Sequence, residues 1–208
     1  MALIDLTMDF IGERFASEIN REEVFLNSGL TSYTGVVYTV THDSMSGTYI
    51  DFPGHIAETD NGLYADNAPL SLFFAVPAQV IRLHRKSGSG AVSAADLEQA
   101  LNGRLVPETL VINALGNLDP LDIEFRSVFL DDSAVQWIID RGCKLLISDI
   151  YESMALHGVF LRLFRAGITT VCKPVNLFEL PEDLVRISVL FARMPGVTQL
   201  PCRIVAEF

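Results

Sequence analysis

The sequence predicts a single α/β domain with a mixed β-sheet flanked by helices, on three observations. Apolar, β-branched runs alternate with helical segments through the middle of the chain. Strand-like runs stand at both ends, and no linker-like stretch divides the 208 residues. One domain spanning 1–208 buries roughly 70% of the surface its unfolded chain exposes, so it folds without disulfides or structural zinc.

The elements follow in order. Ala2-Leu3-Ile4-Asp5-Leu6-Thr7 reads as a short strand, and Val36 to Thr41 as a strand of high β preference. The Gly- and Asp-rich segment from Asp43 to Asn67 reads mostly as loop. Ala78 to Leu83 is a strand, ended by Ser87-Gly88-Ser89-Gly90. Ser93 supplies an N-cap and Asp96 an acidic first turn for a helix that Asn102-Gly103 closes. Thr109 to Ala114 is too apolar for a one-sided sheet and reads as a buried, parallel-type strand. Asp132 or Ser133 caps a helix running to Arg141-Gly142, and Cys143 to Asp149 is the next strand. Met154 to Arg165 reads as a helix closed by Gly167, with Ile168 to Cys172 as the strand after it. Val185 to Phe191 and Cys202 to Phe208 close the domain as strands. No 20–50-residue period repeats, which excludes solenoids and propellers.

Composition narrows the function. Counted with its 14 Gly in place of its 5 Tyr, about 54% of the chain is apolar, above the 45–50% usual for soluble domains. Disorder is excluded, and the surplus must lie in a membrane, a large core or a subunit interface. The best apolar stretch, Leu70 to Leu83, is broken by Pro77 and ends in charge, so no spanning helix is expected. Asp5 and Asp9 near the start argue against a signal peptide. Three Cys, an odd number, suggest free thiols and a cytoplasmic, reducing compartment. A net charge of −11, with no basic cluster longer than His84-Arg85-Lys86, disfavours nucleic acid as a partner.

The densest polar segment is Met45-Ser46-Gly47-Thr48-Tyr49-Ile50-Asp51-Phe52-Pro53-Gly54-His55. In an extended chain alternate residues share a face, which sets Asp51 and His55 together with Met45 and Tyr49. A carboxylate beside an imidazole suits acid–base work or a metal; on spacing alone, a turn stabilised by the Asp with an exposed His is the commoner arrangement.

The segment resembles the His-x-Gly-Thr-His-x-Asp-x-Pro-x-His motif of the cyclase family, which includes bacterial kynurenine formamidases and isatin hydrolases. Gly47, Thr48, Asp51, Pro53 and His55 match at the required spacing. Looser similarity continues at Ile4-Asp5-Leu6-Thr7, Ala68-Pro69-Leu70, Val76 to Val80, Ala94 to Leu97, Arg141 to Asp149, and from Gly167 to Leu177. The resemblance implies a cyclase-like mixed sheet curling toward a barrel, and a homodimer or homotetramer with the site near the interface. It also implies one or two divalent ions, zinc or manganese, and hydrolysis of a small amide, lactam or lactone. Of the five ligand positions it implies, Asp51 and His157 remain, while Met45, Tyr49 and Cys172 stand at the others. Thioether and neutral phenol are poor ligands for a hard cation.

Three readings follow. One is a rebuilt mononuclear metal site using Asp51, His55, His157 and Cys172, at the cost of His55, the acid–base residue that the resemblance implies. The second is metal-free hydrolysis with Cys172 as nucleophile and His157 or His55 as its base, against the usual role of Cys as a small buried hydrophobe. The third is a non-catalytic small-molecule-binding or assembly module with a pocket of Met45, Thr48, Tyr49 and Phe52, and Tyr151 beside it. A small molecule is the expected partner in each.

Overall fold

The computed structural model describes residues 2–9, 17–181 and 183–208. In chain order the strands and helices are β1 (Leu3–Asp5), β2 (Glu18–Asn27), β3 (Ser32–Thr41), β4 (Tyr49–Asp51), β5 (Val76–Arg82), β6 (Gly90–Val92), α1 (Ala94–Leu101), β7 (Thr109–Asn113), β8 (Val128–Leu130), α2 (Asp132–Asp140), β9 (Leu145–Ser148), α3 (Val159–Arg165), β10 (Thr169–Cys172), β11 (Leu184–Phe191) and β12 (Gln199–Glu207).

The sheet order is β1-β12-β11-β5-β7-β9-β10-β4, and β4 also pairs with β12. That last pairing closes seven strands into a mixed barrel, which removes the open edges a flat sheet would expose. The parallel part is β5-β7-β9-β10. Its strands are apolar on both faces because one face lines the barrel and the other carries helices. Inside the barrel, Val80, Val111, Ile147, Val171, Ile187 and Ile204 form one buried cluster. Outside it, Ile81, Leu110, Ile112 and Leu146 pack against Leu97 and Leu101 of α1, Val135 and Ile138 of α2, and Leu163 of α3.

Local chemistry sets the helix ends. Ser93 Oγ accepts the N–H of Asp96 (3.3 Å) while the Asp96 carboxylate accepts the N–H of Ser93 (2.8 Å), a reciprocal cap. Asp131, one residue earlier than the sequence suggests, caps α2 by accepting the Ala134 N–H (2.9 Å). Helix α3 starts at Val159 rather than Met154. Glu152 holds the amides of Gly158 and Val159 (3.0 and 2.8 Å), and Leu156 has a left-handed backbone (φ 53°), so the preceding turn cannot be helical.

The strand expected at Val36 to Thr41 forms, but outside the barrel. It belongs to β3, which pairs residue for residue with β2 as a separate two-stranded hairpin turning at Gly29. Nearly every residue of both strands is exposed.

Candidate active site on the outer face of the barrel

Strand β4 is three residues long, fully buried, and held on both edges: Tyr49 pairs with Cys172 and Pro201, and Asp51 with Thr170 and Gln199. Alternation turns Tyr49 and Asp51 outward, toward the helices, and Ile50 and Phe52 inward. Phe52 therefore joins the barrel core, edge-on to Phe73 and Phe191 at 6.0 and 5.6 Å, and is no pocket residue. Thr48 is structural as well: its hydroxyl accepts the Met8 N–H (2.8 Å) and donates to the Lys173 carbonyl (2.7 Å). Met45 is exposed, and its carbonyl accepts from Lys173 Nζ (3.1 Å). Of the four residues expected to bind substrate, Tyr49 alone lines the cleft described below.

Asp51 is 2% exposed, and each of its oxygens has a partner. The Cys172 thiol donates to Oδ2 (3.6 Å) and the Gln199 carboxamide donates to Oδ1 (2.6 Å). Burial pushes the Asp51 carboxyl up to about 7, although these hydrogen bonds and the charge of Lys173 pull the other way. Gln199 is the residue that sequence reasoning missed. Its Nε2 also lies 3.2 Å from His55 Nε2, and its Oε1 accepts from the Ser44 hydroxyl. The Ser44 bond fixes the amide so that its NH₂ faces both Asp51 and His55, an arrangement that needs a neutral His55 carrying its proton on Nδ1. Partial burial lowers the His55 pKa, in agreement. The extended parity stops at Pro53–His55, a single 3-10 turn, so His55 reaches Asp51 through Gln199.

His157 is not part of this cluster. Its Nδ1 sits 2.6 Å from Ser153 Oγ and its ring stacks on Phe129 at 5.5 Å. Among the described residues no group of three or more His, Cys, Asp or Glu is placed to hold a metal ion. The four-ligand site of Asp51, His55, His157 and Cys172 is therefore not assembled. The donor set fits neither the family's metal centre nor a rebuilt mononuclear one.

Cys172 is also unsuited to nucleophilic attack. It is 4% exposed, and burial followed by the Asp51 charge raises its pKa well above the ordinary thiol value. A neutral, buried thiol is inert. Burial raises the Tyr49 hydroxyl too, and it hydrogen-bonds the same sulfur.

Beyond Tyr49 and Cys172, a cleft of about 190 Å³ opens at the carboxyl ends of parallel strands β9 and β10. In α/β folds, closed barrels and open sheets alike, ligands commonly bind beyond the carboxyl ends of the parallel strands. The floor is Ser148, Tyr151 and Cys172; the walls are Leu121, Ile123, Phe125 and Phe160; Arg126 and Lys173 lie along it. Tyr151 stacks on Phe160 at 4.9 Å, and its hydroxyl reaches the Leu146 and Val171 carbonyls (3.0 and 2.8 Å), which fixes the wall.

Solved structures share this architecture along almost the whole chain. Isatin hydrolase A from Ralstonia solanacearum is 18% identical with a TM-score of 0.76, over 99% of this chain and 91% of that one. Isatin hydrolase A from Labrenzia aggregata, bound to benzyl benzoate, is 16% identical with a TM-score of 0.73, over 99% and 93%. A protein described as a predicted metal-dependent hydrolase from Bacillus stearothermophilus is 17% identical with a TM-score of 0.71, over 99% and 97%. No curated protein sequence matches. The family described as "Putative cyclase" matches residues 4–153, nearly three quarters of the chain. On that match, carried by the closed barrel around it, the chain belongs to the cyclase family.

Proposed function

We propose that the chain binds a small carbonyl compound, an amide, lactam or lactone, in the cleft at β9 and β10, without the metal chemistry of its family's hydrolases. The observation that supports this is the Gln199 carboxamide. It stands between Asp51 and His55 and gives each an N–H where a metal ion would offer positive charge. A hydrogen-bonded amide of this kind satisfies the buried carboxylate without a cation. The test is metal content after dialysis against zinc or manganese, with calorimetry of formanilide and a simple lactam. The expected outcome is under about a tenth of an equivalent of metal, with binding unaffected by chelator. Stoichiometric metal in the unaltered protein overturns the reading.

The second reading is metal-free hydrolysis of the same compounds. The observation favouring it is Asp51, whose pKa of about 7 suits a general base. Turnover that survives chelator and disappears in Asp51→Asn selects it.

We infer as well that copies of the chain assemble as a homodimer or homotetramer through the β2–β3 hairpin. Nine large apolar side chains between Ile19 and Val40 are 41% to 98% exposed. By the strand register five of them, Ile19, Phe25, Val36, Tyr38 and Val40, share one face of the hairpin, and that face is the one offered to a second copy. A lone two-stranded hairpin is marginal in water, and this one gains a second layer by docking on another copy. Three buried free thiols support a cytoplasmic setting. Among the described residues no helix is long and apolar enough to cross a membrane.

A further inference from the structure

Two Asn-Gly pairs occur in the chain, Asn61-Gly62 and Asn102-Gly103. Glycine has no side chain to shield its backbone nitrogen, so the carboxamide of a preceding Asn is open to attack by that nitrogen. The fold treats the two pairs differently. Asn102 closes α1 with a left-handed backbone, and its own N–H bonds the Glu98 carbonyl, which pins it in the last turn of the helix. Asn61 lies in an exposed loop whose hydrogen bonds are arranged around the reacting atoms.

On the nucleophile, the Gly62 N–H donates to Asp60 Oδ1 (2.9 Å). That carboxylate is held in place on two sides. The Tyr64 hydroxyl donates to Oδ2 (2.9 Å), and the group lies against Gly54, where an added Cβ would meet Oδ1 at 3.0 Å. On the electrophile, Asn61 Oδ1 accepts the Leu63 N–H (3.1 Å). Attack on the carboxamide turns this oxygen into an oxyanion, and a backbone N–H already aimed at it stabilises the developing charge. Asn67 keeps the loop in shape: its carboxamide accepts the Tyr64 N–H (2.8 Å) and donates to the Gly62 carbonyl (2.8 Å).

We propose that Asn61 is a self-modification site, deamidated by the groups of its own loop to aspartyl and isoaspartyl forms. The Gly62 nitrogen bonds to Asn61 Cγ while its proton passes to the Asp60 carboxylate, which acts as general base. The Cγ–Nδ2 bond then breaks, and the nitrogen takes up the proton through water and leaves as ammonia. Water opens the resulting five-membered imide at one carbonyl or the other, giving an aspartyl or an isoaspartyl linkage; no other reactant is needed. Each product adds a negative charge, and the isoaspartyl form lengthens the backbone by a methylene in the loop that packs on the turn carrying His55.

The test is incubation of the full chain at neutral pH, folded and in urea, with peptide mass mapping and enzymatic isoaspartyl methylation of both Asn-Gly pairs. In the folded chain, Asn61 should gain the mass of water less that of ammonia about tenfold faster than Asn102. Asp60→Asn keeps the hydrogen-bonding shape but removes the base, and should slow conversion at Asn61 about tenfold while leaving Asn102 unchanged. An unchanged Asn102 rate also reports that the variant is folded. In urea the two pairs should convert at one rate, a comparison that needs no variant. Conversion of folded Asn102 as fast as Asn61, no conversion at Asn61, or a ratio that persists in urea overturns the proposal. So does a folded Asp60→Asn chain that converts Asn61 at the unaltered rate.

Discussion

Replacing Asp51 with Asn tests the electrostatics of the candidate site directly. The Asp51 carboxyl is raised by burial from an ordinary 3.8 to about 7. The folded state therefore keeps a proton that the unfolded chain releases. The stability this contributes is fully present below about pH 4, falls as pH climbs, and is lost above about pH 7. A shift of about three units at 1.36 kcal/mol each is worth roughly 4 kcal/mol in full, and about 2–3 kcal/mol between pH 5 and 8. Asparagine keeps a carbonyl for the Gln199 amide and turns its own NH₂ toward the Cys172 sulfur, so it mimics the protonated acid without titrating. Urea unfolding at pH 5 and pH 8 measures the difference. Between those pH values the unaltered protein should lose about 1 M more in its midpoint than Asp51→Asn, taking a slope of about 2–3 kcal/mol/M. Burial raises Asp149 to about 7 as well, and the pH dependence it adds is common to both proteins and cancels in the comparison. Equal pH dependence in the two proteins, or a variant weakened more at pH 8 than at pH 5, refutes the account of a buried, protonated Asp51.

Three further outcomes are expected. Native Cys172 should resist iodoacetamide at pH 7, and Cys172→Ala should leave cleft binding within about threefold while costing about 1–2 kcal/mol of packing; rapid alkylation at this position contradicts the neutral thiol. Phe25→Asp combined with Tyr38→Glu places charge on one face of the hairpin, and light scattering after size exclusion should then show a smaller particle; an unchanged mass rules out the hairpin as the interface. Ser93→Ala removes one half of the α1 cap and should cost about 1 kcal/mol, or about 2–4 °C in thermal midpoint; no loss by calorimetry would show the cap to be idle.

The parallel strands and helices were legible because their signals are local. Thr109 to Asn113 and Leu145 to Ser148 are apolar on both faces, and Ser93 with Asp96 writes a capping box into four residues. Strand β2 carried no such signal. Glu18-Ile19-Asn20-Arg21-Glu22-Glu23 has no strand-like periodicity, and it is extended because β3 pairs with it. The start of α3 was misplaced because Glu152, outside the helix, holds the amides of Gly158 and Val159.

Sequence by itself determined the α/β class, the family, and the residue types at the old ligand positions, since each is written in short stretches. It also singled out Asp51 as a candidate residue. The tertiary structure alone decided what Asp51 does. Gln199 lies 148 residues away and meets it through the β12–β4 pairing that closes the barrel. His157 points to Ser153 and Phe129 instead. Which donor faces a buried carboxylate depends on strand register across the whole chain, and register is a property of the closed sheet.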